Sequence, residues 1–166
     1  SLLVTFEQSV RYDLDGVTEY TADYTLCLAE NSRIFEEEAE AARARGIRLY
    51  SMSNTGGMSW DFGVIPYQPA PYQWMKRYRS MRRARDIWGL CGLMESHHYG
   101  IYPSFISKLS QWCFTETDAP EEPEVILRRI LEAEFGAEHA IVADRALKLW
   151  SEAAPYIIPS GEDQYG

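Results

Sequence analysis

Three short apolar runs, Leu2–Phe6, Ile47–Met52 and Leu90–Met94, recur at similar intervals along the chain, with helix-like stretches between them. Large and β-branched residues without polar alternation suit strands buried on both faces. Between the first two runs, Ile34–Gly46 combines strong helix formers with acids early, arginines late and a closing glycine. That order matches the helix dipole and predicts a helix capped by Asn31 or Ser32. Between the second and third runs, the segment from Tyr72 to Trp88 ends at Gly89. Helical spacing puts Trp74, Tyr78, Met81, Arg85 and Trp88 on one face and Lys76, Arg79, Arg82 and Arg83 on a solvated one. The acidic helix would neighbour this basic one, with Glu37 and Glu40 facing its arginines.

Strand and helix in strict alternation imply a parallel sheet with right-handed crossovers. The connections after the first two strands, Gln8–Ser32 and Ser53–Pro71, are long for minimal units. They read as βα loops on the edge where parallel sheets and barrels build their sites. After Thr115 the pattern changes to helices, Val125–Phe135 ended by Gly136, then Ala140–Tyr156 carrying Ile141, Ala146, Leu149, Trp150 and Ala153. The expected fold class is α/β, with about three βα units forming the C-terminal portion of a TIM-type barrel over 1–115. An α-helical extension over 116–166 is expected to follow and to continue beyond the chain. Such a half-barrel leaves a sheet edge open and needs the missing N-terminal part of the barrel or a partner chain. A small standalone α/β protein with a helical interaction tail is the compact alternative.

Charge and composition narrow the partners. A net charge of -9 speaks against nucleic acid, whose phosphates require an excess of Lys and Arg. No apolar run approaches the roughly 20 residues of a membrane span. Cys27, Cys91 and Cys113 lack metal-ligand spacing and read as buried free thiols, which fits a reducing, cytoplasmic setting. Tyr, Phe and Trp together make 13% of the chain, and many fall in the expected loops. Aromatic faces of that kind cover sugar C–H groups, although an aromatic-rich core accounts for them equally.

Candidate chemistry gathers at strand ends. Leu90–Met94 runs into Glu95-Ser96-His97-His98-Tyr99-Gly100, and Leu2–Phe6 runs into Glu7. Two strand-end carboxylates suit glycosidic chemistry, one protonating the leaving oxygen while the other attacks or activates water. Capping a neighbouring helix or holding a loop arginine is the structural alternative for each. Adjacent His97 and His98 with His139 far away make a poor zinc site, so no metal or cofactor is expected. One histidine would bond a substrate hydroxyl, with Tyr99 beside it, and the other would support the loop. After the second strand, Ser53–Gly63 offers Asn54, Trp60 and Asp61 as amide, ring and carboxylate, with turn-capping as the alternative for Asp61. Pro66–Trp74 is a stiff, aromatic segment suited to walling a sugar subsite.

Ser59-Trp60-Asp61-Phe62-Gly63-Val64-Ile65-Pro66-Tyr67, within Thr55–Trp74, resembles loops of bacterial glycoside hydrolase-like proteins similar to family 20 hexosaminidase-like barrels. Glu95–Ser104 is similar to their last barrel strand and its loop, and Trp150–Ala153 with Asp163–Gly166 to their helical C-terminal region. The resemblance implies a carbohydrate-active hydrolase acting on an oligo- or polysaccharide. Glu7 and Glu95 would then be the acid/base, nucleophile or sugar-hydroxyl ligands, and Trp60 and Asp61 subsite contacts. The adjacent Asp-Glu pair of family 20 does not occur at a strand end here, so the family's substrate-assisted chemistry does not carry over. A barrel-derived carbohydrate-binding or scaffold protein without catalysis is the competing class.

Overall fold

The computed structural model describes residues 1–9, 11–20, 29–53, 58–59, 65–66, 69–94, 104–114 and 121–156. Three strands, β1 (Leu2–Thr5), β4 (Leu49–Met52) and β7 (Leu90–Met94), form one sheet in the order β1-β4-β7, and both pairings are parallel. The expected strands and their sequential order are therefore present in an α/β fold. Between β1 and β4 comes α1 (Arg33–Ala44), and between β4 and β7 comes α2 (Pro71–Trp88). Ser32 is the N-cap of α1, its Oγ accepting from the Phe35 amide at 3.1 Å. Gly89 closes α2 in the left-handed conformation at φ 73, which favours a residue without Cβ.

The connection expected to be loop over Gln8–Ser32 contains a hairpin, β2 (Arg11–Leu14) and β3 (Val17–Tyr20). Its turn residues Asp15 and Gly16 both have positive φ, the two-residue geometry that a twisted hairpin prefers. The Thr18 hydroxyl, and then Arg11, hold the Asp13 carboxyl below its ordinary value at this exposed ribbon. A shorter antiparallel pair, β5 (Met58–Ser59) with β6 (Ile65–Pro66), follows β4.

Alternation decides which sheet face is covered. Val4, Leu49 and Leu90 pack with Phe35, Ala39 and Ala42 of α1 and with Met81, Ala84 and Trp88 of α2 in one buried cluster. Both helices therefore cover the same face. On the other, Leu3 is 52% exposed, Met94 is exposed, and Tyr50 and Met52 are only half-buried. Cys91 is also exposed rather than buried, its Sγ 3.1 Å from the Leu49 carbonyl. An extra residue in β7 shifts the register between the Leu49 and Ser51 pairings. Tyr50 lies across Gly92 there, and a Cβ at Gly92 would stand 2.5 Å from two of its ring carbons. Gly92→Ala is expected to cost about 1–3 kcal/mol of stability, and less in a Tyr50→Ala background. Chemical denaturation of the four proteins measures the difference, and an equal cost in both backgrounds would contradict the contact.

The helical layer comprises α3 (Phe105–Phe114), α4 (Pro123–Phe135) and α5 (Ala137–Ala153), with a 3₁₀ turn at Ala154–Tyr156. A second cluster joins Ile106 and Leu109 of α3, Ile126, Leu127, Ile130 and Leu131 of α4 and Ala140 of α5 to Trp74, Met75 and Tyr78 of α2. Thus α2 serves two cores, its first turns facing the helices and its last turns the sheet. Arg85 is exposed, contrary to the face expected for it, because Ala84 takes the buried position. Trp74 likewise belongs to the core rather than to an aromatic wall. Glu37 pairs with Arg33 on its own helix, and Glu40 accepts from Trp88 Nε1 at 2.9 Å. Neither faces the arginines of α2 as expected; Glu30 pairs with Arg83 instead. No described helix is long and apolar enough to cross a membrane.

Tyr72 joins α2 to α5, its hydroxyl donating to Asp144 at 2.6 Å and its amide to Ser151 Oγ at 3.1 Å. Burial, and then the Asp144 carboxylate, push its ionisation well above the ordinary 10.0. A raised folded value means that neutral Tyr72 contributes stability below about pH 10, which is lost as the pH rises and the unfolded chain ionises. Melting temperatures of the wild type should fall more steeply above that pH than those of Tyr72→Phe. Parallel pH profiles would contradict this.

Candidate functional site

Where β1 and β4 end, buried polar residues converge. The chain leaves β1 through Phe6, whose amide still donates to the Met52 carbonyl at 3.1 Å, and Glu7 follows. Leaving β4, the Ser53 amide donates to the Met94 carbonyl at 3.2 Å. The ladder thus continues past the strands and fixes where both side chains start. Glu7 and Ser53 are each 0% exposed and Arg77, reaching across from α2, is 1% exposed.

Arg77 ties both ends of the β1–α1 connection to the start of the β4–α2 connection. Its Nε donates to the Ala29 carbonyl at 3.0 Å, and its Nη1 lies 3.1 Å from Ser53 Oγ and 3.2 Å from Glu7 Oε1. Ser53 Oγ completes the triangle by donating to Glu7 Oε1 at 3.2 Å. The guanidinium carbon stands 5.8 Å from the centre of the Phe6 ring, close enough for a cation–π attraction. Phe6 is in turn packed on Phe35 of α1, with ring centres 4.8 Å apart. Glu7 is therefore held from the sheet, from α1 through Phe6 and from α2.

A buried guanidinium left without a charged partner is costly, which favours the ionised form of a carboxyl in contact with it. An ionised Glu7 so held would be a fixed negative charge, suited to stabilising a developing positive centre; at 0% exposed it would need the site to open before attacking a substrate. It is poorly suited to donating a proton. General-acid duty, one of the roles open to Glu7 from sequence, would have to fall elsewhere.

One turn apart on α2, Gln73, Arg77 and Ser80 are all buried. Ser80 Oγ lies 3.3 Å from Glu30 Oε2 and 3.4 Å from Asn31 Oδ1, while Asn31 Nδ2 donates to Glu36 Oε1 at 2.9 Å. This polar seam fastens residues 29–32 to α2. Reading α2 as a core face plus a solvated basic face missed Arg77. Its position three residues after Trp74 and four before Met81 was the available signal.

Of the site residues expected from sequence, Glu7 alone lies among the described residues. Asn54, Trp60, Asp61, Glu95, His97, His98 and Tyr99 lie outside them. The described backbone ends at Ser53 and at Met94, the residues immediately before Asn54 and Glu95. No protein-family model, curated protein or solved structure matches the chain.

Proposed function

We propose that this protein is carbohydrate-active, of the glycoside hydrolase type, with its substrate edge at the C-terminal ends of the parallel strands. The observation carrying this reading is the buried Glu7 carboxylate, fixed by Arg77 and Ser53 directly after β1. In open α/β sheets and βα barrels that edge is where ligands bind. Glu95 directly follows β7, and β1 and β7 flank β4. The proposal gives Glu7 the charge-stabilising or nucleophilic role and Glu95 the proton-transfer role. Asn54, Trp60, Asp61, His97, His98 and Tyr99 would supply sugar contacts.

The same proposal makes the sheet a sector of a TIM-type barrel. Parallel sheets are ordinarily covered on both faces, and here α1 and α2 cover only one. In a barrel the other face, with Leu3, Tyr50 and Met52, turns inward, and β1 and β7 pair with further strands. Without those strands the 166 residues are expected not to turn over 4-nitrophenyl glycosides, and robust turnover by them would contradict the barrel sector.

A non-catalytic carbohydrate-binding or scaffold protein is favoured by one observation, the complete burial of Glu7 against Arg77, which also suits a purely structural ion pair. Glu7→Gln separates the readings in the protein with its sheet completed, once circular dichroism has verified its fold. Lost hydrolysis of 4-nitrophenyl N-acetylhexosaminides with chitooligosaccharide binding retained supports the enzyme. Unchanged binding and unchanged hydrolysis would assign Glu7 to structure alone.

A further inference from the structure

Helix α5 is apolar on the wrong side for the fold that carries it. Its inward face buries Ala140 and Ser151 and half-buries Ala143, Asp144 and Leu147. On the opposite side Val142, Ala146, Leu149 and Ala153, at i, i+4, i+7 and i+11, make a stripe facing solvent, with Trp150 beside it. Val142 is 68% exposed, Leu149 59% and Trp150 62%. Scattered single apolar residues on a surface need no explanation, but a continuous stripe with a tryptophan does.

We propose that this stripe is the contact between two copies of the chain, with the two α5 helices antiparallel about a two-fold axis passing between Leu147 and Lys148. The stripe is self-complementary in that register. Ala146 of one copy falls opposite Leu149 of the other, and Val142 opposite Ala153, so each large residue meets a small one. Trp150 of each copy lies over Ala143 and Ala146 of the other. In an antiparallel pair the same flank of each helix meets its counterpart, and Arg145 and Glu152 share one flank. In this register they come within one turn of each other across the axis, giving two opposite-charge contacts from one pair of residues. A parallel two-fold pairing brings opposite flanks together, so Arg145 and Glu152 of one copy face the Trp150 flank of the other and these opposite-charge contacts do not form.

A two-fold contact through one helix on each copy belongs among the smaller interfaces, and the net charge of -9 on each copy opposes it, so the dimer is weak. The inference rests on the exposed face of α5 and uses none of the residues of the strand-end cluster, so it is independent of the proposed carbohydrate activity.

Sedimentation equilibrium of the 166-residue chain from about 10 μM to about 1 mM, the range of weak association, provides the test. A monomer–dimer equilibrium is expected. Arg145→Glu and Glu152→Arg should each weaken it about tenfold, and the double variant should recover most of the loss. Trp150→Ser should abolish the dimer. Monomer at every concentration would overturn the proposal. So would a dimer indifferent to Trp150→Ser, or single charge reversals that the double variant does not rescue.

Discussion

Arg77→Met is expected to destabilise the protein by about 3–5 kcal/mol, the cost of leaving one member of a buried ion pair without its partner. The substitution keeps an unbranched apolar stem of similar length on α2, so little volume is lost. What goes is charge and hydrogen bonding, with Glu7, Ser53 Oγ and the Ala29 carbonyl all losing the guanidinium. Glu7→Gln alone should also be costly, because Arg77 then becomes the uncompensated charge. The double variant should cost clearly less than the sum, since neither charge remains. Urea denaturation at neutral pH of wild type, both single variants and the double variant gives this coupling directly. Additive losses would mean that Arg77 and Glu7 do not act on each other.

Trp74→Ala is the second large effect, again about 3–5 kcal/mol, from a buried ring removed at the centre of the helical core. Trp74 is 1% exposed and stacks near Tyr78, with ring centres 6.3 Å apart and an interplanar angle of 23°. Its neighbours in the cluster come from α3, α4 and α5, while Met81, Ala84 and Trp88 further along α2 pack against the sheet. Because one helix carries both cores, loss of the helical core should lower the stability of the sheet as well. The expected result is a single unfolding transition, shifted to lower denaturant, with tryptophan fluorescence and far-ultraviolet circular dichroism coinciding. Two separated transitions in the variant, with the sheet unfolding at its wild-type midpoint, would contradict a shared α2.

The parallel scaffold was legible because its signals are local. Apolar runs at 2–6, 47–52 and 90–94, the acids-then-arginines order of α1 and the closing glycines at 46, 89 and 136 each act within a few residues. The hairpin was legible too, in Asp15-Gly16 between β-prone residues, but the reading of Gln8–Ser32 as a loop passed over it. Exposure on α5 could not be read from its apolar content. Ile141, Leu149 and Trp150 look like core in sequence, and only the packing of α4 and α2 against Ala140 and Ser151 turns them outward. The position of Glu7 at a strand end followed from pattern. Its partner did not, because α2 carries Arg77, Arg79, Arg82, Arg83 and Arg85, and composition alone does not choose among them. The apolar stripe of the helix does not choose either, since Trp74, Tyr78, Met81 and Trp88 put Arg85 at its centre and Arg77 at its edge. Only the packing of the fold buries Arg77 and leaves Arg85 in solvent.

The central claim, that the strand ends around Glu7 form a sugar-binding edge, is tested most directly by amide NMR of the 166-residue chain titrated with chitooligosaccharides and cello-oligosaccharides. Dose-dependent shifts concentrated at the amides of Glu7, Ala29 and Ser53, with α4 and α5 unmoved, are the predicted result. Shifts confined to α4 and α5, or none anywhere at millimolar sugar, would contradict it.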